Sequence, residues 1–470
     1  MIFNFKEKNS LKNFLEKDIK FDIQIIGAGI SGISLAHFLL KNNPKLNILL
    51  IERGDFINKT QAKNQINAVK FDGLRIKNDS RVFGVGGSSI TWGNIISNIT
   101  KEEISNKWPI KFYEIEKLCN KAAHILNLEN SSGTNLKENE RKFNYTSYPT
   151  NFTKFLDTSK VNLLYNCKIE QIFEKKNYNY SHIKYQKKNF VIKSKKMVLC
   201  LGTFEIIKLL FNSFRKEKFL NINKRVLGKY FMNHPKFNIG EIKFLNKKID
   251  IRKYLLKKNG NKLSYIGISL PKNIKKKYNL LNSYVRFKQK KYSYLENKIN
   301  QKSSFFIKMK HVVHLKVLKL LDQFDFFLKK RTFLIKIFVE MEPNEKNKVT
   351  LNKKKIINVR GSLSKKDIKT ITILRDFIFK KFSFNDEGEE KVELTKEFIY
   401  KYSQDSSHHM GGTSYNHDKK KSFVDKNLKI IGTKNIFICS SSVFPTSGSV
   451  NPTLIILALG LRLSKFLLRN

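Results

Sequence analysis

The sequence predicts an α/β chain in which a parallel-sheet domain is interrupted by an α+β domain built on an antiparallel sheet. Three observations carry that reading. A complete βαβ unit opens the chain, period-two segments cluster between about residues 231 and 400, and a short strand with a long apolar helix closes it. With 470 residues, 41% of them apolar, the chain has room for two or three domains with real cores.

Phe21 to Ile26 is an apolar run of strong β formers, read as a buried strand. It enters Gly27-Ala28-Gly29-Ile30-Ser31-Gly32 and then a helix that Asn42-Asn43-Pro44 ends. A second strand, Asn47 to Ile51, finishes at Glu52. A Gly-rich loop runs from Phe83 to Asn94. Val161 to Ile172 reads as one strand and Phe190 to Leu201 as more, and Gly202-Thr203-Phe204-Glu205 opens a helix through Asn212. Alternation at Tyr265 to Leu270, Leu334 to Met341 and Lys348 to Leu351 predicts the antiparallel sheet. A strand at Ile436 to Cys439 and a helix from Pro452 follow. The expected boundaries are 1–232 with 401–470 for the first domain and 233–400 for the inserted one.

Charge is the unusual feature. The chain has 91 Lys and Arg against 39 Asp and Glu, a net +52. Lys, Asn, Ile and Phe are abundant while Ala, Gly and Pro are scarce, as AT-rich coding DNA produces. The basic residues are scattered, and no nucleic-acid-binding signature accompanies them. An anionic membrane surface remains a possible partner. Cys119, Cys167, Cys200 and Cys439 show no CxxC spacing, so neither a metal site nor a disulfide framework is expected. Met1 to Lys20 lacks a signal-peptide core, and Arg462, Ser464 and Lys465 interrupt the apolar run Pro452 to Leu468. The expectation is a cytoplasmic protein.

The spacing Gly27-x-Gly29-x-x-Gly32, between a strand and a helix with Glu52 twenty residues on, has a physical purpose. Gly27 permits the tight turn, Gly29 lets a pyrophosphate approach the backbone, and Gly32 lets helix and strand pack closely. The helix N-terminus offers free N–H groups to phosphate, and Glu52 would accept from ribose hydroxyls. This is a Rossmann-like dinucleotide site; the motif does not separate NAD from FAD. In Gly84-Val85-Gly86-Gly87-Ser88-Ser89, glycines and hydroxyls suggest backbone pressed against a ligand. Near the C-terminus, His408-His409-Met410-Gly411-Gly412-Thr413 precedes Ser440-Ser441-Ser442-Val443-Phe444-Pro445-Thr446 and Asn451-Pro452-Thr453. Asn451 also fits a plain helix cap.

Taken together, these segments resemble the glucose-methanol-choline (GMC) oxidoreductases, which are FAD-dependent. The glycine motif with Glu52, Gly86-Gly87-Ser88-Ser89-x-x-Trp92-Gly93, Gly228 to Pro235, His409-x-x-Gly412-Thr413 and Asn451-Pro452 all fit that family. The resemblance covers both ends and the middle of the chain, and only patches of 235–400. It implies a Rossmann-like FAD-binding domain with an inserted substrate domain, and hydride transfer from an alcohol CH–OH group to FAD. It implies FAD contacts at Gly27, Gly29, Gly32, Glu52, Arg53, Gly86, Gly87, Ser88, Ser89, Asn94, Ile169, Ser440, Ser441, Pro452 and Thr453. His409 would be the base and Asn451 its partner. Composition does not separate His408 from His409; the spacing to Gly412-Thr413 favours His409. Thr91 stands where some members attach flavin through a histidine, so non-covalent FAD is expected, and Ser440 replaces a common aspartate. The substrate expected is a small alcohol such as a sugar or polyol. Two rival classes are a non-catalytic FAD-binding protein and a basic surface protein for nucleic acid or anionic membrane.

Overall fold

The computed structural model describes all residues except 17–19, 68, 105, 129–135, 147–150, 186–187, 217–222, 244–248, 260–261, 301–303, 322–331, 384–388 and 470. Among the described residues its central sheet has eight strands. Seven lie in the order Ile2–Asn4, Val161–Tyr165, Ile48–Ile51, Phe21–Ile26, Lys188–Leu199, Tyr178–Tyr185 and Ile169–Lys175, and Ile436–Ile438 joins Lys188–Leu199. Phe21–Ile26 runs parallel to both Ile48–Ile51 and the end of Lys188–Leu199. Strands of a parallel sheet covered on both faces must be apolar throughout, and all four residues of Ile48–Ile51 are buried.

Helix Ile30–Asn42 returns over this sheet and buries Ile33, Leu35, Phe38 and Leu39. Each such burial is worth roughly 1.5–3 kcal/mol. The closing helix, Thr453–Arg469, lies against Ile30–Asn42 and against Phe112–Ile125. The apolar C-terminal run is therefore a core helix. Among the described residues no helix is long and apolar enough to cross a membrane.

A second sheet runs Glu389–Lys391, Lys236–Ile242, Phe333–Phe338, Tyr284–Gln289, Lys262–Ser269, Glu140–Tyr145 and Ile95–Ile96, with Lys257–Asn259 added to Lys262–Ser269. Its pairings are antiparallel. Phe333, Ile335 and Ile337 are buried while Leu334, Lys336 and Phe338 are half-exposed, the period-two pattern of a sheet with one face in the core. Lys348–Leu351, Ile357–Gly361 and Lys70–Gly73 form a third, small sheet.

Three expectations differ from this structure. Val161 to Ile172 is two strands, because Asn166 turns left-handed (φ 56°) and its amide bonds Asn4 Oδ1 and Asp55 Oδ2, ending the first strand. Lys348–Leu351 belongs to the third sheet. The boundaries 1–232, 233–400 and 401–470 do not coincide with the sheets, since Glu140–Tyr145 pairs with Lys262–Ser269 of the inserted segment and carries Ile95–Ile96 on its other edge. Such partners are remote in sequence, and the period of a strand does not name its neighbour.

Candidate active site

A cleft of about 540 Å³ opens at the carboxyl ends of Phe21–Ile26, Ile48–Ile51 and Lys188–Leu199, where parallel sheets place ligands. Its first wall is the glycine turn. Helix Ile30–Asn42 begins at Gly29 with no side-chain cap, so its first N–H groups are free for an anion. Gly27 has φ 107°, and a Cβ on Gly32 would lie 1.9 Å from the Gly27 carbonyl oxygen.

The second Gly-rich segment folds onto the first. The Gly86 N–H donates to Ala28 O at 2.8 Å, and a Cβ on Gly87 would lie 2.8 Å from Gly29 Cα. Two backbone loops thus meet with no side chain between them.

Glu52 closes the far wall. It accepts from the Ala28 N–H at 3.0 Å and the Gly54 N–H at 2.9 Å, and burial pushes its carboxyl up to about 7. A buried acid with two donors on one side and the cleft on the other suits a ribose diol. In the cofactor-free chain this raised value means a stability contribution fully present below pH 4.5 and lost as pH rises through 7. Glu52→Gln should remove that slope, because an amide does not titrate. A glutamine oxygen also serves only one of the two N–H groups, so FAD affinity should fall roughly 10- to 100-fold. Melting of the stripped proteins between pH 5 and 8 checks the slope and titration with FAD checks the affinity; an unchanged affinity would reject the ribose role.

The third wall comes from the C-terminal segment. Ser440, Ser441, Asn451, Pro452 and Thr453 line the cleft beside His408 and His409. The helix starts at Thr453, one residue later than expected, with the Ile456 N–H donating to Pro452 O. Asn451 points elsewhere: its Nδ2 lies 3.3 Å from His408 Nε2.

The two histidines have different surroundings. His409 Nε2 bonds Asp405 Oδ2 at 3.2 Å, and the ring stacks on Phe204 at 4.3 Å between centroids. Burial alone would raise the Asp405 carboxyl. His409, with donors from Asn233 and Ser407, holds it well below the usual range. His408 faces the other way, with Nδ1 3.1 Å from His234 Nδ1 and Nε2 toward Asn451. Burial, then the neighbouring His234 and Lys236, depress His408 well below an ordinary imidazole; burial lowers His234 to about 4. Both are neutral at pH 7, which fixes the protons. His234 Nε2 sits 2.8 Å from the Gly448 carbonyl, which only accepts, so Nε2 carries the hydrogen and Nδ1 is bare. His408 Nδ1 must then donate to it, leaving the Nε2 lone pair aimed at the Asn451 amide. Glu103 holds this loop by accepting from the Ser449 N–H and hydroxyl, both at 2.7 Å, and from Arg141 at 2.9 Å.

Of the residues expected in the site, Gly27, Gly29, Glu52, Arg53, Gly87, Ser88, Ile169, Ser440, Ser441, Pro452, Thr453, His409 and Asn451 line the cleft. Four do not. Gly32 serves the helix–strand contact and Gly86 the loop-on-loop contact. Ser89 spends its hydroxyl on Gly86 O and the Phe152 N–H. Asn94, left-handed at φ 54°, leads the chain into strand Ile95–Ile96. The expected pairing of His409 with Asn451 is not the observed one. Asp405, Phe204 and His234 were missed. The Asp405–His409 spacing of four was readable, whereas His234 reaches the site only through folding.

The cleft fits FAD on this chain's own features: an uncapped helix start, two bare backbone loops and a buried acid. Comparison with known proteins agrees. The family model described as GMC oxidoreductase matches residues 343–460, and that of an NAD(P)-binding Rossmann-like domain matches residues 25–77. The fold is similar to a crystal structure of formate oxidase (TM-score 0.58, 16% identity, 95% of this chain and 98% of that one). It is also similar to pyridoxine 4-oxidase from Mesorbium loti (TM-score 0.57, 12% identity, 96% and 99%). A variant formate oxidase of Aspergillus oryzae RIB40, studied for FAD modification, gives TM-score 0.54 at 15% identity, with 95% and 98% covered. A search of curated proteins gave no match.

Proposed function

We propose, from the premise that this chain belongs to the GMC oxidoreductases and uses FAD, that it oxidises the CH–OH group of a sugar, polyol or related alcohol, with His408 as base and Asn451 as its partner. Bound FAD supplies the hydride acceptor for that chemistry. FAD is held non-covalently in this reading, since Thr91 offers no imidazole for attachment.

The observation that carries the reading is the bare Nε2 of His408, 3.3 Å from the Asn451 amide in the cleft wall. A substrate hydroxyl entering there donates its proton to His408 Nε2, while its oxygen accepts from Asn451 Nδ2–H. Taking that proton as the C–H bond breaks avoids a protonated carbonyl product. A base so placed contributes roughly 10²–10⁴-fold. The depressed His408 keeps the base form at neutral pH. Asn451 cannot titrate, so its donor persists at every working pH. His409, tied to Asp405 and stacked on Phe204, is a positioning residue in this scheme. Helix Thr453–Arg469 begins at the cleft and turns its positive end toward the same place.

The test is anaerobic mixing of FAD-loaded protein with a panel of aldoses, polyols and short primary alcohols. At least one should bleach the visible flavin absorption. No bleaching by any member would leave a flavoprotein without turnover.

A further inference from the structure

Strands Tyr284–Gln289 and Phe333–Phe338 are antiparallel neighbours, yet the chain between them makes a helical excursion: Lys290–Asn300, then Phe305–Leu321. The second helix packs against the first and buries Leu318. Among the described residues nothing covers most of its other side. Phe305 is 72% exposed, Phe306 83%, Val313 53% and Leu320 61%, with Met309 and Val317 also exposed. At about 100° per residue these six side chains fall within an arc of about 120°, with Lys316 among them. Scattered exposed apolar residues are ordinary, but six gathered on one helix face mark a surface meant to be covered.

The charge within and beside the stripe says what covers it. Residues 305–321 contain Lys308, Lys310, Lys316 and Lys319 and no carboxylate. A second copy of this chain would bring lysines against lysines. A surface of anionic lipid satisfies both features, taking the aromatic and aliphatic side chains below its headgroups and pairing the lysines with phosphate. The lysines exclude a spanning orientation.

We propose that the exposed face of helix Phe305–Leu321 docks this protein on an anionic membrane surface, with the helix lying in the plane of the headgroups. The excess charge of +52 draws the whole protein toward such a surface but does not select a face of it. The apolar stripe does.

The experiment separates stripe from charge. FAD-loaded full-length protein is co-sedimented with phosphatidylcholine vesicles containing about a quarter phosphatidylglycerol, in about 0.1 M and about 0.5 M NaCl. The comparison is Phe306→Ser/Val313→Ser/Leu320→Ser, which leaves every charge in place. The wild type should bind, and the variant should bind at least roughly tenfold more weakly at both salts, with FAD content and melting midpoint unchanged. Equal binding by the two proteins would assign the attraction to charge alone and overturn the proposal. So would absence of wild-type binding, or a wild-type dimer that the substitutions split into monomers in analytical ultracentrifugation.

Discussion

Replacing His408 with alanine is expected to slow anaerobic flavin reduction by roughly 10²–10⁴-fold while leaving yellow, FAD-loaded protein. The expectation follows from where the protons sit. Gly448 O fixes the His234 hydrogen on Nε2, His234 Nδ1 takes the hydrogen of His408 Nδ1, and His408 is left with one lone pair facing Asn451. Removing the imidazole leaves a substrate hydroxyl with a donor but no acceptor for its proton. The neighbouring variant His409→Ala is the necessary comparison. It deletes a stacking partner of Phe204 and a donor to Asp405 but no lone pair facing Asn451. Stopped-flow reduction of both variants with one substrate decides the matter. If His409→Ala loses the rate and His408→Ala keeps it, the base is His409 and the lone-pair argument fails.

The second large effect is on the fold itself. Gly32→Ala should yield protein that is destabilised by about 3 kcal/mol or more and that fails to retain FAD. An added Cβ lies 1.9 Å from Gly27 O, 3.1 Å from Gly27 C and 3.3 Å from Cys200 Cβ. Gly27 itself stands at φ 107°, and its N–H donates to Ile51 O at 2.7 Å, so the turn cannot retreat without breaking the sheet edge. The helix must lift instead, which moves its uncapped N–H groups away from the phosphate position. Gly361→Ala is the control, because its Cβ meets nothing closer than 3.7 Å. Flavin content after gel filtration and a thermal melt report both quantities. A Gly32→Ala protein that melts with the wild type and stays yellow would show that the close packing is not needed.

These two sites differ in how far the sequence reveals them. At Gly32 everything needed is local: a strand, a turn and a helix within about thirty residues obey one geometry, so spacing specifies contact. The same holds for Phe333–Phe338, where period two marks a half-buried strand. Its sheet also recruits Ile95–Ile96 and Glu140–Tyr145, and no local pattern names those partners.

By itself, then, the sequence determined the dinucleotide half of this protein, the antiparallel character of the inserted segment and the convergence of Gly87, Ser440 and Asn451 on one cleft. Only the tertiary structure decided which imidazole meets Asn451. His408 and His409 are adjacent, follow Ser407 in a left-handed turn (φ 60°), and present their rings to opposite surroundings. Composition is blind to that turn. The packing of Asp405 and Phe204 on one side, and of His234 with its carbonyl on the other, gives the two rings different partners and leaves the His408 lone pair facing the Asn451 amide.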